Sequence, residues 1–502
     1  WPSLIISLSV FYILLNTSGT GALSFGLGWM FGFGYFLFGL SWIGNALLVE
    51  GNDYRWAYPL ALCGLPILLA LFPAIAAYIA GRADLKTLPG FLFFVGVFGA
   101  FEGLRGTMLT GFPWNLFGYS WAATLPMAQI VSLIGIYGLS VLTIAGFAVP
   151  AFIIVHRSKP SHVWFAGLIL FCLFISGYIF GHQRLVNNPT TFDENIQIVL
   201  VQPNIPQDQK WGGASQVQNF LTHLRVTKNA SLQTIGNITH KPEQTFIIWP
   251  ESALNPYILE QKQSSDLITR TLKSFDGQTY LVTGVLRRDD TPGERQYYNS
   301  LVIIDDKGQI PDVYDKHHLV PFGEYIPFGD MVDMSPIVGF SGFQKGQEPA
   351  ILAPSTGPAF IPLICYEAIF PYMTRDIGGD KPKDKNTPRP EWMVNVTNDG
   401  WYGDTAGPYQ HLAQASFRSI EQGLPLVRAA NTGVSAIIDS LGRKIETIPY
   451  NTKGAIVQNL PQSYRKMSDQ KTFYAKTNDW PVFFLLLILL FPHLYQSLRS
   501  RL

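Results

Sequence analysis

At 502 residues the chain is longer than one ordinary domain, so two folding units are expected. Hydrophobic residues make up 48% of it and charged residues 14%, which is too apolar for a soluble enzyme and too mixed for membrane helices alone. The net charge of +1 gives no reason to expect a nucleic-acid partner. Residues 1–182 are almost continuously apolar, 183–480 have the composition of a soluble α/β protein, and 481–502 begin with a further apolar run.

Seven apolar segments are predicted to cross a membrane, because most of them approach the ~20 residues that a helix needs to span a bilayer. They are 1–15, 23–48, 57–80, 88–102, 128–153, 163–181 and 481–497. We therefore predict a transmembrane helical bundle over 1–182 and one transmembrane helix with a basic cytoplasmic tail over 481–502. Because the chain opens at Trp1 rather than Met, we expect the first span to be clipped or another span to lie upstream.

Three basic clusters beside the predicted spans indicate the orientation of the chain in the membrane. They are Arg82 with Lys86, Arg157 with Lys159, and Arg499 with Arg501. Short basic connectors stay on the cytoplasmic side. All three can do so only if 183–480 lies on the opposite, external side, and the connector 103–127 would then be external too.

The connector 103–127 is too aromatic for a solvated loop, and Trp114 is one of several rings that suit the interfacial zone of a bilayer. Glu102 and Arg105 lie three residues apart at the predicted membrane boundary. They either pair with each other or cap a helix, or they help to receive a lipid headgroup. Arg105 and Trp114 are therefore candidate substrate-binding residues.

Segment 183–480 alternates predicted strands with predicted helices. The strands are 196–202, 245–250, 279–286, 299–305, 359–365, 392–397 and 434–439, and the helices are 215–235, 258–275 and 406–422. Many of these strands are continuous apolar runs, as expected for strands buried on both faces. The order predicts an α/β sandwich whose sheets are covered by helices. The polar stretch 374–391 is predicted to be a loop.

Reactive side chains lie at the ends of apolar strands in three segments. Glu251 comes directly after TFIIWP, Lys316 lies in YDKHHLVPFGEYIP, and Cys365 ends AFIPLIC. Charged groups at the exits of buried strands commonly converge on one crevice in α/β folds. Cys365 is also the only cysteine of 183–480, because Cys63 and Cys172 lie in predicted spans. A lone external thiol has no partner for a disulfide within its domain, so we expect it to be either buried or used.

The order and the residues of these segments resemble those of the nitrilase (carbon–nitrogen hydrolase) superfamily, whose Glu–Lys–Cys triad lies in such segments. Segment 396–439 is similar to the region after the superfamily's nucleophile and contains NDGW and RAANTG. The membrane bundle, the external domain, the last span and the segments 111–120 and 318–327 resemble one membrane-bound branch, the apolipoprotein N-acyltransferase family. The resemblance spans nearly the whole chain and implies an αββα nitrilase-like sandwich over 183–480, although the loop 374–391 is long for the family.

The resemblance assigns Glu251, Lys316 and Cys365 as the catalytic triad of an acyl transfer that runs through a thioester on Cys365. Lys316 would favour the reactive thiolate, because a nearby ammonium stabilises it. Glu251 would take the thiol proton and hand it to the leaving group. Lys316 and the backbone N–H of Tyr366 would stabilise the oxyanion. An amine would then attack the thioester, so the two half-reactions would follow ping-pong kinetics.

The resemblance also implies the substrates and the location. The donor would be a phospholipid, and the acceptor would be the α-amine of the N-terminal diacylglyceryl-cysteine of apolipoproteins, in the last step of lipoprotein maturation. The protein would be a multi-pass protein of the bacterial inner membrane with its catalytic domain on the periplasmic side. No cofactor is expected. No metal is expected either, because the adjacent His317 and His318 on an extended segment point to opposite faces.

Three residues near the triad are candidate supporting groups. Glu324 resembles a second carboxylate that holds Lys316 and Glu251 in place, although a surface charge at a strand end is the alternative. Glu367 either supports the nucleophile or forms a structural ion pair. Tyr366 is expected to pack beside the site and to donate its backbone N–H to the oxyanion.

Trp211 and Trp401 lie on Gly-flanked loops and either contact the acyl chain as part of a lid or simply pack. Asn299 either polarises the site or closes a strand turn, and His411 is interpreted as a structural histidine. Two alternative functions are a membrane-tethered amidase or nitrilase that hydrolyses a small amide, and a non-enzymatic transporter or sensor with a nitrilase-like domain. The membrane spans argue against the first, and the intact triad argues against the second.

Overall fold

The computed structural model describes residues 2–19, 21–48, 55–156, 160–210, 213–234, 241–290, 296–325, 342–375 and 388–499. The chain divides into two compact units. The helical unit consists of Trp1–Leu48, Asn52–Pro189 and Thr472–Leu502, and the α/β unit consists of Val49–Gly51 and Thr190–Lys471.

The first part of the helical unit follows the predicted spans. Its helices are α1 (Pro2–Thr17), α2 (Ala22–Gly39), α3 (Tyr58–Leu69), α4 (Leu71–Ala80), α5 (Leu88–Thr107), α6 (Leu125–Ala128), α7 (Val131–Val155) and α8 (Pro160–Asn187). Helix α5 continues beyond the predicted span 88–102 as far as Thr107. Arg105 therefore lies inside a helix, and the prediction that it belongs to the connector 103–127 was wrong.

The α/β unit contains two sheets. Its strands are β1 (Phe192–Gln202), β2 (Gln244–Ile248), β3 (Gln278–Asp289), β4 (Gln296–Asp305), β5 (Asp312–Asp315), β6 (Phe360–Ile364), β7 (Trp392–Thr397), β8 (Leu426–Ala430), β9 (Ser435–Ile438), β10 (Lys444–Ile448) and β11 (Gly454–Pro461). Its helices are α9 (Gly213–Thr234), α10 (Pro256–Glu260), α11 (Lys262–Leu272), α12 (Gly407–Gln422) and α13 (Tyr464–Ser468). The strand order is β11-β1-β2-β3-β4-β5 in one sheet and β10-β9-β8-β7-β6 in the other. Every predicted strand coincides with one of these, but the sequence analysis missed β5, β8, β10 and β11.

The chain then returns to the helical unit with α14 (Phe473–Thr477) and α15 (Trp480–Arg499). Among the described residues, the helical segments long and apolar enough to cross a membrane are Ala22–Gly39, Arg55–Ala80, Leu88–Thr107, Val131–Val155 and Gly167–Asn187. Pro2–Thr17 and Trp480–Gln496 are shorter apolar helices. The prediction of a multi-span helical domain is confirmed.

The core of the α/β unit lies between the two sheets. Ile198 of β1 and Phe360 of β6 are fully buried in one cluster that joins both sheets. Val199, the next residue of β1, packs on the opposite face in a second cluster with Phe220 of α9. Strand β1 is therefore buried on both faces, which is why its sequence is a continuous apolar run. The predicted α/β sandwich is confirmed.

Parallel pairing brings the carboxyl ends of several strands to one edge of each sheet. Strands β1, β2 and β3 are parallel neighbours, as are β6, β7 and β8. Glu251 comes shortly after β2, Lys316 directly after β5, and Cys365 directly after β6. Ligands of open α/β folds bind at such strand ends. The candidate site is therefore built from these exits.

Candidate active site

Cys365 stands at a sharp turn directly after β6. It opens a tight helical turn, Cys365–Ile369, and its backbone has a φ of 50°. This left-handed conformation costs a non-glycine residue about 1–3 kcal/mol. The side chain is 9% exposed. A strained and buried turn of this kind must be held by its surroundings.

The carboxylate of Glu367 holds this turn from inside the protein. It accepts hydrogen bonds from the N–H groups of Ile364 (2.8 Å), His317 (2.8 Å) and His318 (3.0 Å) and from the hydroxyl of Tyr314 (2.8 Å). Burial raises the pKa of Glu367 to about 7, although the hydrogen bonds it accepts lower it. Because His317 follows Lys316 directly, Glu367 joins the segment that carries Cys365 to the segment that carries Lys316.

Glu251 lies in a turn that packs closely against β3. The N–H of Gly284 donates to the carbonyl of Pro250 at 3.2 Å, and the N–H of Ala253 donates to the carbonyl of Gly284 at 3.0 Å. A Cβ atom on Gly284 would lie 2.5 Å from the Cα of Glu251, which is too close for any side chain. Glycine at this position therefore allows the Glu251 turn to approach the sheet.

Lys316 is buried between two carboxylates. Its Nζ lies 2.8 Å from Oε2 of Glu324 and 3.9 Å from Oε1 of Glu251. Burial alone would lower the pKa of Lys316, but Glu324 and Glu251 outweigh it and hold the pKa well above its usual range. Lys316 is therefore a cation at neutral pH.

Asn299 of β4 connects the two carboxylates. Its side-chain Nδ2 donates to Oε1 of Glu251 at 2.8 Å and to Oε1 of Glu324 at 2.9 Å. Its backbone carbonyl oxygen accepts a hydrogen bond from the backbone N–H of Lys316 at 2.8 Å. The sequence analysis left the role of Asn299 open. Its position on β4, which pairs with β5, brings it beside Lys316, but β5 was not among the predicted strands.

Burial and the charges around the sulfur of Cys365 act on its pKa in opposite directions. Burial, followed by the negative charge of Glu251, raises the pKa of Cys365 to about 12. Lys316 lowers this pKa, which is the direction that the sequence analysis expected, but its effect is smaller than that of burial and Glu251. The arrangement suits a thiol that gives up its proton during attack, with Glu251 as the nearby base.

Comparisons with known proteins place the chain in a family. Residues 1–149 match the family model of the apolipoprotein N-acyltransferase N-terminal domain, and residues 198–467 match that of carbon-nitrogen hydrolases. An apolipoprotein N-acyltransferase of Rhodopseudomonas palustris is 38% identical, over 96% of this chain and 88% of its own. One of Brucella melitensis is 40% identical, over 90% of this chain and 82% of its own. The chain belongs to the apolipoprotein N-acyltransferase family.

Membership of the apolipoprotein N-acyltransferase family confirms the predicted resemblance and, with the carbon–nitrogen hydrolase match, the nitrilase-like α/β domain. The protein is an N-acyltransferase and a multi-pass membrane protein. This supports the predicted function over the amidase and sensor alternatives. Among solved structures, an amidase from Nesterenkonia sp. aligns at 18% identity over 54% of this chain and 92% of its own, with a TM-score of 0.36, a likeness too weak to support any inference.

The protein has a second buried lysine near the proposed triad, Lys210, which the sequence analysis missed. Its Nζ donates to the backbone carbonyl of Glu251 at 3.2 Å. Burial lowers the pKa of Lys210 to about 8, although the charges of Glu251 and Cys365 raise it. Lys210 and Glu251 also line a common cleft. Lys210 lies in the connection between β1 and α9, where neither a strand exit nor a motif marks it.

The aromatic candidates of this N-acyltransferase differ in their surroundings. The buried ring of Tyr366 packs against Phe370, with 5.0 Å between the ring centroids, so it lies beside the nucleophile. Trp401 is 40% exposed, on the short turn Asp399–Tyr402. Trp211 lies outside the described residues. The roles of Trp211 and Trp401 in a lid or at the acyl chain stay predictions.

Arg105 and Trp114 belong to the helical unit and are both buried. The guanidinium of Arg105 pairs with Glu102 at 2.9 Å and donates to the carbonyls of Phe112 at 2.6 Å and Trp114 at 2.7 Å. The pairing between Glu102 and Arg105 that the sequence analysis considered is thus present, and it fixes the chain that leaves α5. Substrate binding by Arg105 and Trp114 stays a prediction.

Within the part of the chain that the structure describes, no group of three or more His, Cys, Asp or Glu side chains is arranged to hold a metal ion. Most of the predicted loop 374–391 lies outside that part, since residues 376–387 are not described.

Proposed function

We propose that the protein transfers an acyl chain from a phospholipid, through a thioester on Cys365, to the α-amine of the N-terminal diacylglyceryl-cysteine of an apolipoprotein. The observation that carries this proposal is the buried thiol of Cys365, whose pKa is raised by Glu251 and lowered by Lys316, so that both charges act on the sulfur. A nucleophile, a base and a fixed cation are the groups that covalent acyl transfer requires. The similar proteins of Rhodopseudomonas palustris and Brucella melitensis are apolipoprotein N-acyltransferases, which supports an apolipoprotein as acceptor.

In the first half-reaction, Glu251 takes the proton of Cys365 as the sulfur attacks the ester carbonyl of the phospholipid. A C–S bond forms, and the negative charge that develops on the carbonyl oxygen is stabilised by Lys316 and the backbone N–H of Tyr366. The C–O bond to the lipid backbone then breaks. Glu251 returns the proton to the leaving oxygen, which gives a lysophospholipid and a thioester on Cys365.

In the second half-reaction, the neutral α-amine of the acceptor attacks the thioester carbonyl. Glu251 accepts a proton from the nitrogen, the same two donors stabilise the oxyanion, and the C–S bond breaks. The sulfur of Cys365 regains a proton and the acceptor carries an amide. Because both half-reactions use one site, the kinetics are ping-pong.

We further propose that the protein lies in the bacterial inner membrane with its α/β unit on the periplasmic side. The basic clusters beside the apolar helices support this orientation, because short basic connectors stay in the cytoplasm. An enzyme outside the cytoplasm has no access to ATP or acyl-CoA. A membrane phospholipid is then the available acyl store, which supports the proposed donor.

The proposal is tested with a phospholipid that carries a labelled acyl chain and a diacylated lipopeptide. We expect the wild-type protein to gain one hydroxylamine-sensitive acyl group on the peptide that contains Cys365, and to pass the label to the lipopeptide amine. Cys365→Ala should do neither. Cys172→Ala, which changes an exposed cysteine of the helical unit, should behave as wild type. Transfer of label by Cys365→Ala, or turnover without an adduct on Cys365, would contradict the thioester mechanism.

A further inference from the structure

The backbone carbonyl of Cys365 is held by a buried polar cluster that the proposed triad does not include. The cluster consists of the fully buried residues Asn395, Asp399, His411 and Arg428. The Nε2 of His411 lies 3.1 Å from the Cys365 carbonyl oxygen, and the Nδ2 of Asn395 donates to the same oxygen at 3.5 Å. Because a carbonyl oxygen only accepts hydrogen bonds, the Nε2 of His411 must carry a proton.

The other side of the His411 ring is fixed by two charged groups. Its Nδ1 lies 3.0 Å from Oδ1 of Asp399 and 3.1 Å from Nη2 of Arg428. Arg428 in turn donates to Oδ2 of Asp399 at 2.7 Å and to Oδ1 of Asn395. Burial and then Arg428 lower the pKa of His411, although Asp399 opposes them. The four side chains thus close a ring of contacts behind the Cys365 carbonyl.

Fixing this carbonyl also fixes the next backbone N–H. The C=O of Cys365 and the N–H of Tyr366 belong to one planar peptide unit, and the described chain contains no cis peptide bond, so the two groups point in opposite directions. A donor stabilises an oxyanion best when it is already aimed at the place where the charge develops. The contact from His411 therefore restrains the direction in which the Tyr366 N–H points.

We infer that His411, held by Asp399 and Arg428, is a positioning residue that aims the Tyr366 N–H at the developing oxyanion. This inference rests on the proposed function, in which that N–H is one of two oxyanion donors. His411 does not touch the substrate in this scheme and acts only through the peptide unit. The sequence analysis interpreted His411 as structural. Through its contact with the Cys365 carbonyl, such a histidine also affects how well the Tyr366 N–H stabilises the oxyanion.

The test compares two reactions of the same thiol in the full-length protein. A p-nitrophenyl ester acylates Cys365 through an oxyanion and releases p-nitrophenolate, whereas iodoacetamide alkylates it by displacing iodide without forming an oxyanion. His411→Leu should slow acylation by up to about 10²–10³-fold, the effect of one oxyanion donor, and leave the alkylation rate unchanged. His411→Gln, whose amide can donate to the same carbonyl, should recover most of the acylation rate. Both rates are measured as the mass change of the Cys365 peptide.

Ser416→Ala is the matched control, because Ser416 lies on the same helix, α12, and its hydroxyl donates to the Leu412 carbonyl of that helix at 2.8 Å. It should leave both rates unchanged. An equal loss of the acylation and alkylation rates in His411→Leu would show that the histidine only maintains the turn, and this would overturn the inference. An unchanged acylation rate in His411→Leu would overturn it as well. If the wild type is acylated by the nitrophenyl ester but not by phospholipid, the proposed function fails while the comparison of His411 variants still decides the inference.

Discussion

The proposed nucleophile was identified from the sequence, but the shift of its pKa was not. Cys365 was identifiable because it is the only cysteine of residues 183–480 and ends an apolar run in a recognisable motif. Its pKa depends on burial and on the distances of three charged side chains, which no motif contains. From the sequence, Lys316 was expected to favour the thiolate. The structure adds the burial of the thiol, which together with Glu251 outweighs the effect of Lys316.

The supporting residues also fall into two groups: those that motifs identified and those whose role only the structure shows. Glu251, Lys316 and Glu324 follow from motifs, and the structure brings the three together around Asn299. Asn299 could not be assigned because its function lies in a contact between separate segments. The role inferred for His411 could not be predicted for the same reason, because it depends on the contact between its Nε2 and the backbone carbonyl oxygen of Cys365.

Changing Glu251→Gln should affect the two properties of Cys365 in opposite directions. The substitution removes the negative charge that helps to raise the pKa of Cys365 to about 12, so the pKa falls and more thiolate is present at pH 9. Alkylation by iodoacetamide at pH 9 should therefore become faster. Acyl transfer should fall by about 10²–10⁴-fold, because the general base is lost. Peptide mass mapping and the lipopeptide assay measure the two effects on the same samples.

The control for this substitution is Glu260→Gln, which neutralises an exposed carboxylate of the same unit that pairs with Arg288. Neither the alkylation rate nor the transfer rate should change. Slower alkylation in Glu251→Gln would mean that the carboxylate promotes the thiolate, which is the reverse of the electrostatic effect described above.

At the scale of elements, the predicted strands are largely buried and read as apolar runs. Three of the missed strands lie at sheet edges: β5 has four residues, β10 is largely exposed, and β11 pairs with β1 from the far end of the unit. The fourth, β8, is a buried central strand that overlaps the RAANTG motif, and it was identified as part of that motif and not as a strand. In the six-stranded sheet, local patterns thus predict the four central strands, whereas the two edges depend on long-range pairing.

Gly284 of β3 is the point at which the sheet contacts the turn of Glu251, the proposed general base. A Cβ atom there would meet the Cα of Glu251 at 2.5 Å and the N of Ser252 at 2.6 Å, so backbone and not a flexible side chain must move. Gly284→Ala should displace the Glu251 turn and lower acyl transfer by about 10²-fold, the loss expected when a catalytic group is misplaced by about 1 Å. The Cys365 turn does not depend on this contact, and its alkylation by iodoacetamide should not be slowed.

Gly454→Ala is the matched control for Gly284→Ala. Gly454 also lies in a strand of the six-stranded sheet, β11, but the atoms nearest to an added Cβ are 4.0 Å away on the Ile448 side chain. Transfer should therefore remain at the wild-type rate. Full activity in Gly284→Ala would show that the turn can shift without cost and that glycine is not required there.

At the scale of the whole molecule, the apolar runs and the basic clusters provide different information. The runs predicted the apolar helices, because length and composition decide whether a helix can cross a bilayer, although the helix in the predicted span 23–48 ends at Gly39. The runs do not specify on which side the α/β unit lies. The proposed side rests on the charges of the connectors, and the side determines which acyl donors an enzyme can reach.

The proposed orientation predicts which positions a membrane-impermeant maleimide reaches in spheroplasts. A cysteine at Lys241, whose side chain is 80% exposed in the α/β unit, should be labelled without permeabilisation. A cysteine at Lys86, in the exposed connector between α4 and α5, should be labelled only after the membrane is permeabilised. Both substitutions are made with Cys63→Ser, Cys172→Ser and Cys365→Ala, and the parent of these three changes should stay unlabelled because it contains no cysteine. Labelling of Lys86→Cys but not Lys241→Cys in intact spheroplasts would reverse the orientation and, with it, the argument for a phospholipid as the accessible donor.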